Sequence, residues 1–266
     1  MKLHPKALAI AALAPLRSFP TGATDAAALR ALLAALAPVL PERPLIRLGP
    51  AGDGGYLVPD DLDAIAALFS PGVDRVSGFE AACAERGIEV FMADRSVDGP
   101  AQPHPRFHFT KKYVGVTTNE GFMTLDDWVA ASLPHAAGDL MLQIDIEGFE
   151  WEAFLALSDR LLRRLRIIVA EFHHLDELFG KHFFRLASRT FEKLLQTHAC
   201  VHIHPNNCCR LVRSRGLAIP RVAEFTFYRR DRVGRAVPAT TFPHPLDADN
   251  HPNPSLPLPA CWYRRG

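Results

Sequence analysis

Three apolar runs in this chain end in side chains that can hold or move a proton. Leu140-Met141-Leu142-Gln143-Ile144 leads into Asp145, Glu147 and Glu150, with Gly148 among them. Arg166-Ile167-Ile168-Val169-Ala170 leads into Glu171, Phe172, His173 and His174. The third run, 199–204, carries His202 and His204 and is followed by Asn206 and Asn207. Carboxylates and imidazoles are the groups that general acid–base chemistry uses. Mixed sets of the two also suit divalent Mn, Fe or Zn, with Asp145, Glu147, Glu171 and His173 as candidate ligands. The spacing of these four matches no strong metal motif. Alternation along strands puts His173 and His204 forward as site residues and leaves His174 and His202 as structural ones. Glu150 reads as a helix-start residue, where the helix dipole favours an acid.

Runs of this length suit buried strands, and helical patterns separate them. Such alternation indicates an α/β chain with a doubly wound, largely parallel sheet. Right-handed crossovers then bring successive strand ends to one edge, where open sheets of this kind bind ligands. Upstream, the apolar run 65–69 meets a turn at Ser70-Pro71-Gly72-Val73. Ser77-Gly78-Phe79-Glu80 fits a capping box opening a helix. The strand 89–93 ends at Asp94, roughly 20 residues past the turn, the spacing at which an acid reaches a nucleoside ribose. A full GxGxxG is absent. Asp53-Gly54-Gly55-Tyr56 reads as a hairpin turn or as a loop covering a ligand. Residues 107–110 read as a third strand, and Thr124 caps a helix with Asp126 and Asp127 in structural roles. Residues 221–228 alternate as a last strand, and the Pro-rich tail 242–259 wraps the surface or the site. Residues 1–44 form an N-terminal helical extension of two Ala/Leu-rich segments, and 45–266 the main domain.

Composition narrows the field. The 266 residues are 48% hydrophobic and 22% charged, which is globular. Thirty basic against 29 acidic residues give a net charge of +1. Neither nucleic acid nor an anionic membrane is favoured by such a field. The N-terminal apolar stretch is too short to span a bilayer and reads as a helix rather than a signal peptide. Five cysteines without a CxxC pair read as reduced thiols of a cytoplasmic protein.

The segments RLGPAGDGGYLVPDD, FSPGV, TLDDW, LQIDIEGFEW, IVAEFHHL, VHIHPNN and FPHPLD occur in that order. Together they resemble the FkbM-type S-adenosylmethionine-dependent methyltransferases, in the branch with an RLG–DGGY segment before the cofactor turn. The resemblance covers most of residues 45–250. It implies a class I methyltransferase fold: a Rossmann-like seven-stranded sheet with an antiparallel last strand. It also implies a cofactor turn at Ser70, Pro71, Gly72 and Val73, with Asp94 on the ribose and Asp145 beside the methyl donor. Asp145, His173 and His204 become the catalytic candidates, and Asp53, Tyr56 and Asn206 the substrate contacts. Pro71 departs from the freer glycines usual in such turns. The implied reaction is O-methylation of a hydroxyl on a small molecule or glycan. A metal-dependent hydrolase using the Asp/Glu/His cluster, and a non-catalytic binding protein on the same fold, are the alternatives.

Overall fold

The computed structural model describes residues 21–73, 76–134 and 138–264. The first of the two N-terminal helical segments lies outside the described residues. The second is α1 (Ala26–Ala35), capped by the Asp25 carboxylate, which accepts from the Ala28 amide. It buries Leu29, Leu32 and Leu33, the one-face spacing of an amphipathic helix.

A hairpin follows, β1 (Leu45–Leu48) against β2 (Tyr56–Pro59). The alternating part of the chain then gives β3 (Ile65–Pro71), α2 (Gly78–Ala84), β4 (Glu89–Ala93) and β5 (Phe107–Thr110). Next come α3 (Leu125–Ser132), β6 (Asp139–Ile144), α4 (Glu150–Ala156) and α5 (Asp159–Arg164). The series ends with β7 (Leu165–Phe172), α6 (Lys181–Thr197), β8 (His198–Pro205) and β9 (Ala223–Arg229).

Seven of these strands form one sheet in the order β8-β9-β7-β6-β3-β4-β5. Neighbours from β5 to β7 run parallel. The last strand, β9, runs antiparallel between β7 and β8. This is the doubly wound, Rossmann-like seven-stranded sheet with an antiparallel last strand expected above. Every residue of β7 and β8 is buried, as strands covered on both faces require. Trp151, Phe172, Phe191 and Phe225 interlock on one face, with Trp151 and Phe172 ring centroids 4.5 Å apart.

At the amino end of the sheet, Asp61 receives hydrogen bonds from Tyr228 at 2.6 Å and from Arg232 at 2.7 and 2.9 Å. Burial works to raise the Asp61 pKa. The bonds from Arg232 and Tyr228 and the charge of Arg166 outweigh it and hold the carboxyl low. Asp139 is clamped in the same way by Arg229 and Arg166. These charges tie strand starts together and leave the opposite edge for chemistry.

One local expectation fails. Ser77 makes no capping hydrogen bond, and Glu80 does not reach back to it. The buried face of α2 carries Phe79, Glu80, Cys83 and Ala84, so Glu80 points inward. There it meets the buried Ser70 hydroxyl at 2.6 Å, which gives the inward-facing carboxyl a polar partner. Among the described residues no helix is long and apolar enough to cross a membrane.

Candidate functional site

The carboxyl edge of the sheet carries a row of ionisable side chains. Glu171 on β7 and Glu224 on β9 are register partners, and His204 on β8 is the partner of Glu224. Ala170 pairs with Ile144, so Asp145, just past β6, stands beside Glu171. The order across four strands is His204, Glu224, Glu171, Asp145. With strands roughly 4.8 Å apart, the row spans roughly 14 Å. Asp145 and His173 come together at one end, and His204 and Asn206 at the other.

At the Asp145 end, the chain leaves β6 through Glu147, whose φ of 58° is left-handed, and Gly148 at 103°. Glu150 closes this turn. Its carboxylate is fully buried and accepts from the amides of Ile146 at 2.8 Å and Gly148 at 3.1 Å. Glu150 does start α4, but its environment is the interior: the turn's amides need an acceptor where water is excluded. His173 packs on the same turn. Its Nε2 lies 3.9 Å from Asp145 Oδ1 and 3.5 Å from Glu147 Oε2, and its Nδ1 lies 3.4 Å from Glu150 Oε1. Trp151 Nε1 donates to the His173 carbonyl at 3.1 Å and fixes the backbone there.

Burial pushes the Asp145 carboxyl up; His173 pulls it down, while Glu150, Glu147 and Asp53 add to the rise. Burial pushes His173 the other way, but Glu150, Asp145 and Glu147 prevail and its pKa is raised. Each group thus shifts the other, His173 lowering Asp145 and Asp145 raising His173. Ligand atoms of Asp145, Glu147 and His173 lie within 4.8 Å of one another, a set that a divalent ion can bridge. Glu171, expected among these ligands, falls outside the set. Its Oε1 accepts from Asn206 Nδ2 at 2.9 Å instead.

The turn at 70–73 does not present its side chains to the cleft. The Ser70 hydroxyl lies 2.6 Å from both Glu80 Oε1 and Gln143 Oε1. One hydroxyl has one proton. If it goes to Gln143, the carboxyl of Glu80 donates to Ser70. Burial supports that protonated form by raising the Glu80 pKa, against the Ser70 bond, which lowers it. Gln143 Nε2 continues the chain to the Tyr56 hydroxyl at 3.4 Å. Tyr56 itself is buried edge-on against Phe79, centroids 5.3 Å apart. Pro71 is the last residue of β3, and Val73 is buried in the core. Gly72, at φ 92°, donates its amide to the Ala93 carbonyl at 3.0 Å. Any contact from this turn to a cofactor is therefore made by backbone. Asp94, half-exposed past β4, accepts from the Ser96 amide and hydroxyl at 2.6 Å, both on Oδ1. Among the described residues its Oδ2 takes no hydrogen bond, which leaves one carboxylate oxygen for a ribose.

At the other end, the tail returns over the sheet edge. Asp247 Oδ1 lies 2.9 Å from His202 Nε2, and its Oδ2 lies 3.6 Å from His204 Nδ1. Residues two apart on a strand share a face. His202 thus belongs with His204, contrary to the expectation that separated them. His174, half-exposed with φ 61°, lies in the turn after β7. Burial pushes the Asp247 carboxyl up, but hydrogen bonds to His202 and His204 prevail and hold it well below the carboxylate range. Burial works to lower His204, and Asp247 and Glu224 outweigh it. Asn207 holds the tail by donating to the carbonyls of His251 and Asn253, both at 2.9 Å. Asn250 Nδ2 donates to Glu224 Oε1 at 2.6 Å and to Asp53 Oδ1 at 3.3 Å. Asp53, on the exposed loop between β1 and β2, thereby joins the site.

Glu224, Asp247, Asn250 and Glu150 were not singled out as site residues from sequence. Glu224 did leave a signal, an acid inside the otherwise apolar alternation RVAEFTFY. Asp247 and Asn250 left none, because their partners are more than 25 residues away.

No family model matches the chain. No curated protein matches it either. Among solved structures, the magnesium protoporphyrin IX methyltransferase of Synechocystis PCC 6803 with bound S-adenosylmethionine matches at 12% identity and a TM-score of 0.31, over 64% of this chain and 72% of that one. Thermoplasma acidophilum protein 1320 matches at 12% identity and a TM-score of 0.30, over 64% and 83%. Neither likeness bears on function.

Proposed function

We propose that the chain is an S-adenosylmethionine-dependent methyltransferase that methylates a hydroxyl of a small molecule or glycan, in keeping with its sequence resemblance to FkbM-type enzymes. One observation carries the reading: on the same edge of a methyltransferase-type sheet, Asp94 ends β4 with a free carboxylate oxygen and the Asp145–His173 pair ends β6 and β7. The cofactor, when bound, supplies a methyl group on a cationic sulfur. The residues present fit it: Asp94 Oδ2 would take the ribose hydroxyls, and Asp145 would face the cation.

The chain's own task is alignment and proton removal. In-line transfer needs the acceptor oxygen held against the methyl group. A hydroxyl is a weak nucleophile until its proton leaves. His173 is assigned that proton. Asp145 and Glu147 beside its Nε2 stabilise the imidazolium that results, and Trp151 holds its backbone. His204, at the far end of the row, contacts the acceptor instead, together with Asn206, Asp53 and the underlying Tyr56.

Calorimetry with S-adenosylhomocysteine tests the reading. Binding should appear, and Asp94→Ala should weaken it about tenfold or more, the cost of one charge-assisted hydrogen bond pair. No heat at millimolar ligand would exclude the methyltransferase. The Asp145, Glu147 and His173 set favours a second reading, a metal-dependent hydrolase. Stabilisation by Mn or Zn alone, without any by the homocysteine, would select it.

A further inference from the structure

Glu171 and Glu224 face each other across β7 and β9, and both are buried, 5% and 6% exposed. Like charges directly opposite in an antiparallel pair oppose folding. Neither carboxylate forms an ion pair among the described residues. Each has one oxygen held by an amide, Asn206 on Glu171 and Asn250 on Glu224, and neither second oxygen takes a hydrogen bond there. The Arg47 guanidinium bonds to the carbonyls of Pro50, Gly52 and Leu246. Burial raises the Glu224 carboxyl and prevails over the charges of His204 and Arg47, which work to lower it.

Two further atoms beside this pair lack partners. Asn250 Oδ1 is buried without a hydrogen bond. His204, the register partner of Glu224, has a side chain 8% exposed, and its Nε2 is buried and unpartnered. Cross-strand partners project from the same face, so this nitrogen flanks the carboxylates. Unsatisfied polar atoms of this kind cost about 1–3 kcal/mol each unless something meets them.

We propose that the free oxygens of Glu171 and Glu224, with Asn250 Oδ1 and His204 Nε2 beside them, bind a primary ammonium group of the methyl acceptor, which is thus an amino sugar or aminocyclitol. The inference rests on the methyltransferase reading for the word acceptor. An ammonium carries three N–H donors and no acceptor. These residues offer three acceptors, one free oxygen on each glutamate and Asn250 Oδ1. His204 Nε2 is left for a hydroxyl next to the amine. Glu171 stands one strand from Asp145 and Glu224 two, so the amine lies roughly 5–10 Å from the Asp145–His173 pair. One sugar ring, or two, bridges that distance.

The test uses the full chain. Binding of S-adenosylhomocysteine is first measured by calorimetry. Melting temperatures are then taken with millimolar glucosamine, N-acetylglucosamine, glucose or magnesium chloride, with and without the homocysteine. Glucosamine should raise the melting temperature about 2 °C or more beyond either neutral sugar. Glu171→Gln and Glu224→Gln should each abolish that difference while still binding the homocysteine. Equal shifts from the three sugars, no shift from glucosamine, or a glucosamine shift surviving in both variants would overturn the proposal. So would a larger shift from magnesium than from glucosamine. If the variants do not fold, the comparison of sugars on the unaltered chain decides alone. If the homocysteine fails to bind, the methyltransferase reading falls, and the amine site is judged on the arm without it.

Discussion

The carbonyl oxygen of Asp145 fills the place where a side chain on Gly72 would stand: a Cβ there would lie 1.5 Å from it. Two strand ends, β3 and β6, meet through bare backbone at this point. Gly72→Ala must separate them and also adopt a φ of 92° with a side chain. We expect a loss of about 3 kcal/mol or more, from overpacking and left-handed strain together. Urea denaturation reads it, and a variant as stable as the parent would show that the two loops part freely.

Glu150 should behave as an anchor. Glu150→Ala leaves the Ile146 and Gly148 amides without an acceptor, and we expect a loss of about 2–4 kcal/mol. Glu150→Gln keeps an acceptor oxygen and should lose less. Hydrogen exchange at residues 146 and 148 distinguishes a loosened turn from general destabilisation. Unchanged exchange in the alanine variant would refute the role.

Replacing the proton acceptor should separate chemistry from binding. His173→Gln is expected to lower turnover about 10²–10⁴-fold once an acceptor is in hand, the usual contribution of a general base. Affinity for S-adenosylhomocysteine should stay within a few-fold. Turnover equal to that of the parent would move the proton to another group.

Stability should depend on pH through His198. Burial pushes its pKa down to about 4, against a hydrogen bond to the Leu165 carbonyl, because the ring at the start of β8 is fully sealed from water. The folded state therefore keeps it neutral where the unfolded chain protonates it. Its contribution is whole above the ordinary histidine value of about 6.5. It shrinks as pH falls from there to about 4. Unfolding free energies measured across that window should decline, and His198→Leu should flatten part of the slope. Equal slopes in both proteins would assign the effect elsewhere.

The tail should come free without Asp247. Asp247→Asn weakens the contacts to His202 and His204 that hold residues 244–253 on the sheet. Limited proteolysis should then cut within 240–253 while the sheet resists. An unchanged digestion pattern would show that Asn207 alone suffices.

The sheet was legible in the sequence because strands such as β6 and β7 are buried on both faces and read as continuous apolar runs. The three ionisable strand ends were legible for the same reason: polar residues stand out directly after such runs. Glu80 was misread because a capping box and an inward-facing acid look alike until Ser70 is known to lie beneath it. Glu150 was placed correctly at a helix start, but local pattern does not tell a solvated acid from one sealed at 0% exposure. The far end of the row was least legible. Glu224 meets Asn250, and His202 meets Asp247, only after the antiparallel return of β9 and the wrap of the tail, and no local periodicity encodes those meetings.

That return also divides the row along the chain. Asp94, Asp145 and His173 all lie before residue 174, whereas His204, Glu224, Asp247 and Asn250 all lie after residue 197. The helix α6 is the seam between the two sets. Residues 198–253 thus carry most of the far end of the row but not all of it: β9 pairs along β7, Asn206 bonds to Glu171 and Asn250 to Asp53, so the later stretch is stitched into the earlier one and a change in either is felt at both ends.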